Sequence, residues 1–102
     1  PARPLEVAEV LEAAGLAVRD FRLRFGGNPV GSNTEITAAL GRGNAAQADF
    51  LSGRGLAVNE KGEIVDPWGT ALFFHQLAAD QMELRSAGPD RQLWTDDDVA
   101  GR

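Results

Sequence analysis

The sequence has no cysteine and a single histidine, His75. The first absence excludes disulfides, thiolate zinc sites and cysteine nucleophiles, and the second excludes metal centres built on paired imidazoles. Basic residues are also scarce, ten against fifteen acidic ones, for a net charge of −5. That balance is a poor match for nucleic acid or for an anionic membrane surface. Long apolar runs are missing too. The longest uncharged apolar run in the amino-terminal part is Ala13–Val18, whereas a spanning helix needs about 20 residues and a signal core about 7 to 15. As given, the chain reads as soluble.

What is present is enough for one domain. At 102 residues, 43% apolar and 25% charged, the chain can bury a core of its own but has no room for a second full domain. Val7, Leu11, Ala14, Val18, Phe21 and Phe25 recur by three and four, which predicts an amphipathic helix over 4–25. Pro4 suits its first turn. Glu6, Glu9 and Glu12 crowd its start and Arg19, Arg22 and Arg24 its end, as the helix dipole favours, before Gly26 and Gly27 stop it. Residues 26–55 read as a loop with a short helix, capped by Ser32 or Asn33, with Glu35 placed for a capping box and Ile36, Ala39 and Leu40 as its buried stripe. Ala45–Leu51 can add a turn of helix that brings Phe50 and Leu51 to the core.

From Leu56 the period falls towards two, and residues 56–87 read as antiparallel sheet. Leu56–Val58 and Glu63–Val65 flank the turn Asn59-Glu-Lys-Gly62 as a small hairpin. Asp66-Pro-Trp-Gly69 forms a tight turn, with Gly69 free to take a positive φ. Ala71–Leu77 is the strongest strand candidate, and Met82–Ala87 returns antiparallel to it with Met82, Leu84 and Ser86 on one face. Helix first and sheet second predict an α+β fold, the long helix laid on a small antiparallel sheet. Residues 88–102 read as an irregular, acidic loop.

Charge is concentrated at that end. Residues 80–102 hold six acidic and three basic side chains, with Asp96, Asp97 and Asp98 consecutive. Trp94 and Val99 flank the run, which suggests that it docks. A docked loop with Asp90, Asp96, Asp97 and Asp98 needs counter-charge, because carboxylate repulsion rises as the effective dielectric falls. Three readings remain open on the residues alone: a network with Arg85 and Arg91, a solvated tail, or a hard cation. Calcium takes six to eight oxygen ligands, which two or three of these carboxylates and carbonyls of Ser86–Asp90 could contribute.

Asp66-Pro-Trp-Gly69, an aromatic strand, Leu84-Arg-Ser-Ala-Gly-Pro-Asp90 and Asp96-Asp-Asp-Val99 stand in the order found in the carboxy-terminal half of the major pseudopilins of bacterial type II secretion systems, which this chain resembles over roughly residues 56–99. Arg91 stands where that family commonly has glycine. The resemblance implies a pilin-like fold and a non-catalytic role as a filament subunit in protein secretion. The implied partners are other pseudopilin subunits and the secretion machinery, at the periplasmic side of the inner membrane. It also implies an apolar anchoring helix upstream, which this chain does not include, and calcium in the loop after the last strands. Carried over by motif, the metal-ligand region comprises Asp90, Asp96, Asp97 and Asp98 with Ser86 as an additional candidate, while Asp66, Trp68 and Gly69 would be structural.

Two other functions compete with this one. A hydrolytic triad of His75, Ser86 and Asp66 or Asp90 can be drawn, but Ser86 lacks the Gly-x-Ser-x-Gly elbow and His75 falls on an aromatic strand, where a surface position is the ordinary one. The expectation is therefore no enzyme and no catalytic residue. The other competitor is a metal-free adaptor domain with a pilin-like fold, binding protein through a patch of Trp68, Phe73, Phe74 and Trp94; the alternative role for these residues is core.

Overall fold

The structure, a computed structural model, describes residues 6–41, 43–44, 46–51, 53–78, 81–89 and 99–101. Helix α1 spans Val7–Phe25, starting three residues later than the periodicity predicts; Pro4 lies outside the described residues. Glu6 caps it in a reciprocal box. Its side chain accepts the amide three residues on, and Glu9 Oε1 accepts the Glu6 amide at 3.1 Å. This satisfies two of the donors that a helix start leaves free. At the other end Gly26, at φ 81°, donates its amide to Arg22 O at 2.7 Å. Val10, Leu11, Ala14, Ala17 and Val18 are buried. Ala14 and Ala17 are fully inaccessible, and their small side chains let the helix axis approach what it packs on.

Helix α2, Asn33–Leu40, is capped by Ser32, whose Oγ accepts the Glu35 amide while Glu35 Oε1 accepts the Ser32 amide at 2.9 Å. Asn33, the other cap candidate, has a different task. Its Nδ2 donates to Ile64 O and Leu72 O at 3.0 and 2.8 Å, and its Oδ1 accepts the Ile64 amide and the Thr37 hydroxyl. One side chain therefore ties α2 to two segments of the sheet region. The buried stripe is Ile36, Thr37 and Leu40, with Thr37 in place of the expected Ala39, because Thr37 Oγ1 also accepts the Ile64 amide.

The expected helical turn at Ala45–Leu51 does not form: the described residues 46–51 are non-helical. Asn44 is the reason. Its Oδ1 accepts the amides of Ala46 and Ala48, its Nδ2 donates to Ala39 O, Gly41 O and Ala48 O, and Gln47 takes φ 52°. A side chain that captures local backbone groups competes directly with the helix ladder. Phe50 and Leu51 still reach the core as expected. Phe50 meets the rings of Phe21 and Phe25 edge-on, at centroid separations of 5.9 and 6.3 Å.

Strands β1 (Ala57–Val58) and β2 (Ile64–Val65) form the predicted hairpin. Asn59 Oδ1 accepts the Lys61 and Glu63 amides inside its turn. Strands β3 (Phe73–Ala78) and β4 (Gln81–Ser86) pair antiparallel, with Phe74 opposite Leu84 and His75 opposite Glu83. A third strand, β5 (Val99–Gly101), pairs with β4 so that Ser86 faces Val99. This corrects the reading of 88–102 as loop throughout. The sheet order is β3-β4-β5, the hairpin is a separate two-stranded sheet, and α1 lies against β4 and β5. Leu11, Ala14, Val18, Ile36, Leu40, Ile64, Leu72, Met82 and Leu84 form the core between them.

Alternation on β4 separates two faces, Met82, Leu84 and Ser86 inward and Glu83 and Arg85 half-exposed. Leu84→Ala should therefore cost about 2–5 kcal/mol in urea denaturation, whereas Leu77→Ala, at a side chain 60% exposed, should stay within about 0.5 kcal/mol. A pH dependence follows from the α2 cap. Hydrogen bonds from the Ser32 amide and then its hydroxyl hold the Glu35 carboxyl below its ordinary 4.5. A depressed value stabilises the fold above the ordinary pKa and loses that contribution as pH falls through the depressed one. Wild type should accordingly exceed Glu35→Gln in stability at neutral pH, with the gap closing below pH 4.5 in parallel acid titrations.

Candidate functional site

The Asp66-Pro-Trp-Gly69 segment forms the predicted turn. The Gly69 amide donates to Asp66 O at 3.0 Å, Gly69 takes φ 83°, and the Asp66 amide donates to Thr70 O. Proline fixes φ at the second position, and the aspartate side chain closes the turn from inside. Asp66 Oδ1 accepts the Trp68 amide at 3.0 Å and the Thr70 amide at 2.9 Å. The carboxylate is 3% exposed, so each oxygen needs a donor.

The second oxygen finds its donor on another strand. Ser86, last residue of β4 and fully buried, donates its hydroxyl to Asp66 Oδ2 at 2.7 Å. The same hydroxyl accepts the Gly88 amide at 3.1 Å, and Gly88 sits at φ 79°, where glycine is favoured. A chain of three links thus runs from the turn after β2, through the core edge, to the segment that leaves β4. The Ser86 hydroxyl and the Gly88 amide are both buried, and leaving either of two such groups without its partner costs about 1–3 kcal/mol. This bond was only half legible in the sequence. Alternation already turned Ser86 inward, and a hydroxyl facing a core must be partnered, but nothing local identified Asp66 as the partner.

Of the residues expected to ligate metal, Ser86 occupies this buried position. Asp90, Asp96, Asp97 and Asp98 lie outside the described residues, as do Arg91 and Trp94. Among the described residues no group of three or more acidic or histidine side chains is placed to hold an ion. The pairing of Ser86 with Val99 nevertheless sets the two ends of segment 87–98 side by side, about 4.5–5.5 Å apart between Cα atoms in an antiparallel pair. That segment contains four aspartates and one arginine.

The residues of the imagined triad are only partly brought together. Asp66 and Ser86 meet, but His75 is exposed and shares the opposite face of the sheet with Glu83 and Arg85, its ring stacked on Phe73 at 5.8 Å. A shallow groove of about 350 Å³ beside the turn is lined by Val10, Gly55, Ala57, Val65, Asp66, Pro67 and Gly69. Its one carboxylate, Asp66, already accepts three hydrogen bonds. Of the aromatic residues considered as an adaptor patch, Phe74 packs on the core, and Trp68 and Phe73 are half-buried. Among the described residues no helix is long and apolar enough to cross a membrane.

No protein-family model and no curated protein sequence matches this chain. Among solved structures it is similar to the major pseudopilin from the type 2 secretion system of enterohaemorrhagic Escherichia coli, with a TM-score of 0.56 and 22% identity, over 93% of this chain and 82% of that one. At that level the likeness establishes the fold: a long helix packed on a small antiparallel sheet, α+β and pilin-like.

Proposed function

We propose that this chain is the soluble part of a non-catalytic structural subunit of a type II secretion pseudopilus, with the loop after β4 stabilised by calcium. The observation that carries the proposal is the pilin-like fold shared with a major pseudopilin over nearly the whole chain. The Asp66–Gly69 turn, the aromatic strand β3 and the end of β4 from Leu84, which carry part of the sequence resemblance, follow one another in that fold. In this reading α1 stacks subunits, the sheet and loops form the outer contacts, and the partners are further pseudopilin subunits and the secretion machinery. The location is the periplasmic side of the inner membrane.

The calcium part of the proposal rests on donor chemistry. Asp90, Asp96, Asp97 and Asp98 would supply carboxylate oxygens, with carbonyls of the Ser86–Asp90 stretch completing the set. Bound calcium would supply the positive charge that a closed loop of four carboxylates and one arginine lacks. Ser86 and Gly88 hold the base of the loop, and Asp66 holds Ser86.

Both parts are testable. Thermal unfolding with saturating calcium should lie above that with chelator, since ligand at 100 times its dissociation constant adds about 2.7 kcal/mol; superimposable curves would exclude a calcium-stabilised loop. Magnesium should give a smaller shift, because it prefers fewer ligands in stricter geometry. For assembly, the full-length protein should cross-link into ladders of its own subunits in cells expressing type II secretion components. A monomeric pattern under those conditions argues against a filament subunit.

A further inference from the structure

We infer that the outer edge of β3 is a self-association surface, on which the β3 strand of a second copy of this chain pairs antiparallel about a two-fold axis at His75. The bonding pattern of the strand points to it. Backbone groups of successive residues in a strand face opposite sides in the plane of the sheet. The Leu72 amide donates to Ile64 O and Leu72 O accepts from Asn33 Nδ2, so Leu72 faces away from β4. Phe73 and His75 therefore bond towards β4, and the N–H and C=O groups of Phe74 and Gln76 face outward. Among the described residues no backbone group outside the β3–β4 ladder bonds to them, and Gln76 is exposed.

Two such edges fit each other. With His75 on the axis, Phe74 of one copy stands opposite Gln76 of the other, and the reverse, so that each pair exchanges both of its N–H···O bonds. The two copies of His75 form the intervening pair, which exchanges none. Phe73 stands opposite Leu77, a side chain 60% exposed in the single chain. Like charges directly opposite one another destabilise a strand pair, and a chain of net charge −5 repels its own copies. Residues 73–78 carry no acidic or basic side chain besides His75, and they lack the lysine or proline that commonly blunts an open edge. The contact also closes on itself. The bulge between Gln76 and Ala78 ends the regular stretch, and Asn28 and Asn33 tie off Ala78 O and Leu72 O at its two ends. The two-fold axis then leaves no β3 edge for a third copy.

The test is sedimentation equilibrium over a concentration series, with hydrogen exchange of single amides followed by NMR, on wild type, Gln76→Pro and His75→Lys. The series is run in chelator, so its outcome is independent of the calcium reading. Proline at 76 removes an outward donor and leaves the bonds to β4 in place, and lysine at 75 puts two cations on the axis. Wild type should pass from monomer to dimer as concentration rises to roughly 1 mM, in keeping with a short edge contact. Exchange at Phe74 and Gln76 should slow over that range, while exchange at His75, bonded to β4, should not change. Gln76→Pro should raise the dimer dissociation constant about tenfold or more, and His75→Lys about fivefold at low salt. Should Gln76→Pro fail to fold, His75→Lys decides. Wild type still monomeric at roughly 1 mM would overturn the inference, as would a dimer that neither substitution weakens and in which Phe74 and Gln76 exchange freely.

Discussion

A buried carboxylate with three neutral donors holds the lower half of this molecule together. Asp66 closes its own turn with one oxygen and reaches the end of β4 with the other. A charge removed from water has to be compensated by such donors, and its removal leaves them stranded. The geometry therefore couples segments about twenty residues apart in sequence: the turn after the hairpin, the last residue of β4 and the start of the acidic loop. Asn33 performs a comparable service higher in the fold, where one amide joins α2 to β2 and to the chain entering β3. Between these two polar anchors the apolar core is continuous, with α1 against β4 and α2 against β2.

The arrangement gives the acidic surplus a place. Most of the net negative charge is carried by the last quarter of the chain, and there Asp90 and Asp96–Asp98 belong to a segment whose ends are pinned by β4–β5 pairing.

How much of this was readable beforehand varied with the physics of each element. Helix α1 was legible because its stripe, its end charges and its glycine stop agree, and the hairpin, β3 and β4 were legible from alternation and turn residues. Strand β5 was not: three residues, Val-Ala-Gly, carry no alternation of their own and are a strand only because β4 offers an edge. The segment after Asn44 was misread because composition favoured helix while one asparagine side chain took up the backbone groups a helix needs. The site was half legible. The inward placement of Ser86 followed from the period of β4, but its bond to Asp66 joins two motifs that no local pattern connects. The aspartates proposed as ligands were visible from charge alone, and their geometry lies outside the described residues.

The central proposal is that the segment after β4 takes up calcium. The most direct measurement is a heteronuclear NMR titration of the isotopically labelled protein with calcium chloride. The account predicts saturable shifts concentrated in residues 87–99, largest at Asp90 and Asp96–Asp98 and including the Gly88 amide. Absence of shifts, or small unsaturable ones scattered over acidic surface positions such as Glu12 and Glu60, would contradict it.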